Sequence, residues 1–254
     1  MDVYEKPGIL SEYLTFHYGT EAELLPYPFG PKAALDFPAR CIQDLLVPPS
    51  STGGGDGYEL AYDLGCAVGR STFELARHAR SVCGFDLSSS FIGAANQMLD
   101  QGRIETDIVI EGEMIERIEL RAPALEATGD IRFQVGDAVE LAAALPPADV
   151  VLAANLVCRL PTPKHFLSSM SRLIKPSGQL LLVTPFTWLE AFTPPSAWPR
   201  HGDGTPMSSA AWIEDILGDE FVLEHSEDLP FLIREHVRKF QWAVSLGMRW
   251  RRRA

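Results

Sequence analysis

The 254 residues carry 34 acidic and 22 basic side chains, a net charge of −12, which argues against a nucleic-acid partner because phosphate contacts need a basic face. With 46% hydrophobic and 22% charged residues, the composition is that of a globular protein with ample core. The start, MDVYEKPGIL, is acidic and lacks an apolar h-region, and no window approaches ~18 uninterrupted apolar residues, so neither a secretory signal nor a membrane span is expected.

Residues 1–50 are rich in aromatics and proline (YLTFHYGTEAELLPYPFGP) and are expected to form a cap of helices and irregular loops. SSTGGGDG, at 50–57, reads as a flexible connector into a core spanning 51–254. There YELAYDL precedes the helix-forming STFELARHA, and SVCGFDL precedes SSSFIGAANQML with Ser88 as N-cap. RIETDIVIEGEMIERIEL, within 103–130, holds two alternating strands around Glu111-Gly112-Glu113, an inserted β-hairpin. IRFQVGD and DVVLAANL follow as strands. TPKHFLSSMSRLI is a helix with Thr162 as N-cap and Pro163 at its first position, and GQLLLVTP is the next strand. Apolar strands separated by helices predict a parallel sheet covered on both faces. EFVLEHSEDL and PFLIREHVRKFQWAV are two extended runs joined at Leu229-Pro230, a closing antiparallel hairpin, and the final RWRRRA reads as a solvated tail. Cys41, Cys66, Cys83 and Cys158 form no CxxC pair, so they read as reduced thiols of a cytoplasmic protein rather than zinc ligands or a redox pair.

The turn in YELAYDLGCAVGRSTFELA lies where ligands bind in doubly wound sheets, beyond the carboxyl end of a strand. Gly65 and Gly69 permit a tight turn and close ligand approach, and the helix that follows is expected to present free N–H groups. The dinucleotide spacing G-x-G-x-x-G/A needs small residues at 65, 67 and 70, but position 70 is Arg70. The pattern is instead D-x-G-x-A-x-G, which resembles motif I of class I S-adenosylmethionine-dependent methyltransferases. That resemblance implies a Rossmann-like α/β fold with a mostly parallel seven-stranded sheet, and a turn (Asp63, Gly65, Cys66, Ala67, Gly69) that holds the methionine part and ribose of the cofactor. Asp86, 17 positions after Gly69 in GFDLS, would accept the ribose hydroxyls with Leu87 beside it. Asp137 in VGDA would meet the adenine amino group with Ala138 beside it, and Asn155 in AANL would lie beside the methyl group.

The acceptor is read from other segments. NLVCRL lacks the [DN]-P-P-[FY] of enzymes that methylate exocyclic amines of nucleobases. YEKPGILSEYLTFHYG, NLVCRLPTPKHFL, TPFTWLEAFTPPSAWP and PFLIREHVRKFQ resemble the ovothiol-pathway methyltransferase, usually met as the C-terminal domain of the sulfoxide synthase acting on histidine and cysteine. The resemblance implies methyl transfer from S-adenosyl-L-methionine to an imidazole nitrogen of 5-thiohistidine, with S-adenosyl-L-homocysteine as product and no metal. Here the domain is expected to stand alone, with a sulfoxide synthase as pathway neighbour, as a monomer or weak homodimer. The selenium analogue of thiohistidine is the other acceptor left open.

A zwitterionic amino-acid acceptor needs a cation for its carboxylate and an anion for its ammonium, since burying either charge unpaired is costly. Arg159, four residues past Asn155, is the first candidate for the carboxylate. Arg234 is a second, although Arg234 and its neighbour Glu235 would point to opposite faces of one strand. Glu190 is a candidate for the ammonium or an imidazole N–H, and Trp188 for stacking on the ring. Tyr13, His17 and Tyr18 are candidates to cap the pocket, with Tyr13 and His17 sharing a helical face. Alternatives are an O- or C-methyltransferase of another small metabolite and a non-catalytic S-adenosylmethionine-binding module.

Overall fold

The computed structural model describes residues 4–5, 8–49, 57–124 and 129–254, so all of the expected 50–57 connector except Gly57 lies outside the described residues. Three helices come first, α1 (Ile9–Tyr18), α2 (Glu21–Leu24) and α3 (Phe37–Gln43). They are followed by β1 (Tyr58–Leu64), α4 (Arg70–Leu75), β2 (Ala79–Asp86) and α5 (Ser89–Gln101). Next come β3 (Arg103–Glu111), β4 (Met114–Arg121), β5 (Asp130–Val135), α6 (Ala138–Ala144) and β6 (Ala148–Ala154). The chain ends with α7 (Pro163–Ser168), α8 (Met170–Leu173), β7 (Ile174–Thr184), α9 (Ser209–Leu217), β8 (Phe221–His236) and β9 (Lys239–Arg252).

Seven strands form one sheet in the order β5-β2-β1-β6-β7-β9-β8, and β3 pairs with β4 in a separate two-stranded sheet. Pairings among β5, β2, β1, β6 and β7 are parallel, whereas β9 runs antiparallel to both β7 and β8. This is the Rossmann-like arrangement with a closing antiparallel hairpin. The chain leaves β1 toward β2 on one side, while β6 lies on the other, which opens a crevice at the carboxyl ends of β1 and β6. Each sheet face buries its own core. Phe16, Phe37, Phe73, Phe91 and Phe231 pack on one face, and Phe166, Trp212, Phe221 and Trp250 on the other. The central parallel strands β1, β6 and β7 are largely buried, which is why they read as near-continuous apolar runs, whereas the edge strand β5 alternates between buried and exposed residues.

Ser88 caps α5 as expected, its Oγ accepting from the Phe91 N–H at 3.1 Å. Three local expectations are corrected. TPKHFLSSMSRLI divides into α7 and α8 around Ser169, whose hydroxyl donates to the His165 carbonyl, a bond that competes with the helix ladder; Thr162 occupies the N-cap position but makes no side-chain cap. β8 runs unbroken through Leu229-Pro230, and the hairpin turns at 237–238 instead. Proline survives there because β8 is the sheet edge, where a missing N–H costs little. RWRRRA is largely strand rather than tail. Met248 and Trp250 point into the core at 1% exposure, while Arg249 and Arg251 pair with Glu224, and Arg252 donates to the Ile174 carbonyl.

Candidate active site

Beyond β1 the backbone is left-handed at three alternate residues, Gly65 (φ 78°), Ala67 (φ 48°) and Gly69 (φ 93°). Glycine adopts this conformation without penalty, whereas alanine there costs on the order of 1–2 kcal/mol. A Cβ on Gly69 would stand 2.6 Å from the Phe133 ring, and one on Gly65 would stand 3.1 Å from Leu156. The strained turn is held from several sides. The Gly65 and Cys66 N–H groups donate to the Phe85 carbonyl at 2.8 and 2.9 Å, and the Ala67 N–H donates to Asp86 Oδ2 at 3.0 Å.

α1 braces the same turn. The Tyr18 hydroxyl donates to the Val68 carbonyl at 2.7 Å, and the Arg70 N–H donates to His17 Nδ1 at 3.4 Å. The first N–H of α4, expected to be open to a ligand, is therefore occupied by the cap. Burial, and then the Arg70 charge, push the His17 imidazole down to about 3, so it stays a neutral acceptor at physiological pH. His17 and Tyr18 thus support the turn, and neither hydrogen bond is available to an acceptor.

The acids at the strand ends differ in what they already hold. Asp63 is 1% exposed; its Oδ2 accepts from the Ser71 and Thr72 hydroxyls, both at 2.7 Å, while Oδ1 is buried without a partner. Desolvation pushes its carboxyl up to about 6, against the pull of the two hydroxyls. Asp86 accepts from the Ala67 and Ser88 N–H groups through one oxygen each, at 3.0 and 2.9 Å. Each of its oxygens retains a lone pair, and burial raises its carboxyl above the ordinary range. Asp137 Oδ1 accepts from the Val139 N–H at 2.8 Å, an N-cap of α6, and Oδ2 has no partner among the described residues. Cys66 and Ala138 are core side chains, 0% and 6% exposed, so only their backbone can face a ligand, whereas Leu87 is 41% exposed.

On the acceptor side, Asn155 also sits in the left-handed region (φ 52°). Its N–H donates to the Val183 carbonyl at 2.7 Å, and its Oδ1 accepts from the buried Ser245 hydroxyl at 2.8 Å. With Oδ1 engaged, the amide offers its N–H groups as donors. Arg159 Nη1 donates to the Thr187 carbonyl at 2.7 Å, and its guanidinium lies 5.0 Å from the Phe192 ring centre. Burial raises the Tyr4 phenol above its ordinary range, against the pull of the nearby Arg159 charge. Its ring lies about 6 Å from those of Tyr13, Phe91 and Phe192 (6.0, 5.9 and 5.9 Å), and Tyr13 and Phe91 are 4.8 Å apart. Glu5 accepts from the Ser88 hydroxyl at 2.7 Å, two residues beyond Asp86.

The structure thus gathers Tyr13, Phe91 and Phe192 around Tyr4, with Arg159 against the Phe192 ring. It does not gather every candidate. Trp188 Nε1 donates to Ser209 Oγ, and its ring packs edge-on to Trp212 on the opposite face of the sheet. Arg234 is 6% exposed and donates to the Glu23 carbonyl, beside Leu25 and Leu232, and no hydrogen bond links it to Asn155, Arg159 or Asp86. Glu190 is exposed and has no partner among the described residues. Tyr4, Glu5, Phe91, Phe192 and Ser245 were not among the sequence candidates. Tyr4 and Phe192 lie within YEKPGILSEYLTFHYG and TPFTWLEAFTPPSAWP, whereas Ser245 sits in an ordinary strand with no local signal. Among the described residues, no group of three or more His, Cys, Asp or Glu is placed to hold a metal ion, and no helix is long and apolar enough to cross a membrane.

S-adenosylmethionine fits these residues. The orphaned Asp63 Oδ1 suits an ammonium donor, and the spare lone pairs of Asp86 suit two ribose hydroxyls. Residues 62–180 match the family model described as a methyltransferase domain. Three solved structures share the fold. The N-methyltransferase NodS from Bradyrhizobium japonicum, in complex with S-adenosyl-L-homocysteine, is 14% identical, with 96% of this chain and 98% of that chain covered at a TM-score of 0.54. An S-adenosylmethionine-dependent methyltransferase from Methanosarcina mazei is 16% identical, with 82% and 99% covered at 0.50. The YcgJ protein from Bacillus subtilis is 11% identical, with 80% and 96% covered at 0.50. No curated protein matches the sequence.

Proposed function

We propose that this protein is a methyltransferase that moves the methyl group of S-adenosylmethionine to an imidazole nitrogen of 5-thiohistidine, or of its selenium analogue, made upstream by a sulfoxide synthase or a selenium-handling counterpart. The observation that carries this reading is Arg159, an arginine set among Tyr4, Tyr13 and Phe192 one loop beyond Asn155. A cation against aromatic walls suits a small planar ring that bears a carboxylate.

When bound, the cofactor supplies an electrophilic methyl group. Asp86 orients the ribose, Asp63 Oδ1 the ammonium and Asp137 Oδ2 the adenine amino group. Phe91, Phe192, Tyr4 and Tyr13 exclude water, which strengthens the polar contacts inside. Arg159 grips the acceptor carboxylate, and Asn155 donates an N–H to the chalcogen or to a ring nitrogen lone pair, aligning the attacking nitrogen. Such alignment is worth at most about 7–11 kcal/mol and is the main contribution a protein makes to this reaction. The new N–C bond forms as the S–C bond breaks, and the positive charge gained by the ring leaves as an N–H proton to solvent. Burial holds the Tyr4 and Tyr13 phenols protonated, so neither serves as the base. Incubating the protein with S-adenosylmethionine and 5-thiohistidine or 5-selenohistidine is expected to yield a singly methylated amino acid by mass spectrometry. No turnover with either would overturn the assignment.

A further inference from the structure

A second concavity lies between α7, α9 and the loop after β7, with a volume of about 520 Å³. Trp198 and Trp212 form aromatic walls, and Lys164, His165 and Arg200 stand around it beside the Ser196 hydroxyl. Among the described residues no acidic side chain lines it, although the chain carries 34 acids against 22 lysines and arginines. The Lys164 and His165 side chains have no hydrogen-bond or ion-pair partner among the described residues, and the Arg200 guanidinium holds only the Gly204 carbonyl at 3.0 Å. Lys164 and Arg200 on one cleft without a lining carboxylate leave a local positive field, and the His165 imidazole stands beside them.

The aromatic wall is fixed in place. Trp198 Nε1 donates to the Thr193 carbonyl at 2.9 Å, and the Thr193 hydroxyl, 0% exposed, donates to the Leu160 carbonyl at 2.7 Å. Trp212 is 7% exposed and held edge-on by Trp188. Neither indole must be ordered when a ring enters, which removes part of the entropic cost of binding. Asp63, Asp86, Asn155 and Arg159 do not line this cleft, so it is separate from the methyl-transfer site.

The geometry points to a binding site for an aromatic phosphate monoester, its ring against Trp198 and Trp212 and its phosphate between Lys164, His165 and Arg200. The inference does not depend on the identity of the methyl acceptor. Calorimetric titration of the full chain at low ionic strength, with phenyl phosphate, inorganic phosphate and phenol as probes, tests it. Phenyl phosphate should bind with a Kd at least roughly tenfold below either fragment, because charge-assisted contacts and ring burial act together. Saturating S-adenosylmethionine should not displace it. The Lys164→Gln/Arg200→Gln double variant should lose roughly tenfold or more in phenyl phosphate affinity, while its unchanged S-adenosylmethionine affinity reports an intact fold. Trp198→Phe should narrow the preference for phenyl phosphate over inorganic phosphate. Equal affinity for phenyl phosphate and inorganic phosphate, displacement by the cofactor, or an unaffected double variant would each overturn the site.

Discussion

The two halves of the crevice are built differently. Apart from Asp137, the cofactor half is made from residues close in sequence. Asp63 to Gly69 form one turn, and Asp86 ends the neighbouring strand and reaches back to the Ala67 N–H. The acceptor half is made from Tyr4, Tyr13, Phe91, Asn155, Arg159, Phe192 and Ser245, which meet only because α1, α5, the loops after β6 and β7, and β9 converge. A short pattern can specify the first half, whereas the second exists only in the tertiary fold. That contrast predicts that substitutions in the two halves separate cleanly between cofactor affinity and acceptor turnover.

The largest expected effect is on the cofactor side. Asp86→Ala removes both the ribose acceptor and the bond that holds the Ala67 N–H, so cofactor affinity should fall by about 3 kcal/mol, as measured by calorimetry. Unchanged affinity would remove Asp86 from the site. Arg159→Ala comes next, and steady-state kinetics should show acceptor KM rising roughly tenfold to a hundredfold with cofactor Kd unaltered. A parallel loss of cofactor affinity would mean that the halves are one unit. Ser245→Ala frees the Asn155 amide without touching either ligand. It should lower kcat roughly tenfold while both binding constants hold, and an unchanged kcat would make the Ser245–Asn155 bond purely structural.

The smallest effect concerns pH. Asp63 is pushed up to about 6 by burial, above the range of an unfolded aspartate. Its contribution to stability is therefore present below about 4, the unfolded value, and is lost as pH rises through about 6. An ammonium against Oδ1 favours the carboxylate, so cofactor binding near pH 6 should release a proton and tighten roughly fourfold between pH 5.5 and 7. Calorimetry in buffers of different ionisation enthalpy reads that proton directly. Binding that shows no buffer dependence would place Asp63 outside the site.

The same contrast explains what the sequence disclosed. The alternation of apolar strands and helices is a local signal, and the parallel sheet follows from it. Leu229-Pro230 was misleading because proline marks a break everywhere except at a sheet edge, and edge position is not written locally. RWRRRA read as a tail because charge dominates its composition, yet Met248, Trp250 and Arg252 share one face of a strand that alternates with Arg249 and Arg251. Arg234 looked like a second clamp, but the register of β8 carries it under the end of α2. Trp188 is absorbed by Ser209 and Trp212. Ser245 carries no signal at all, because its role depends on β9 passing beside the end of β6.

Transfer from a cofactor carrying a 13C-methyl group, followed by NMR in the presence of 5-thiohistidine or 5-selenohistidine, bears most directly on the central claim. One labelled carbon is expected on an imidazole nitrogen, formed in step with S-adenosylhomocysteine. Label on sulfur, selenium, oxygen or carbon, or no transfer at all, would contradict it.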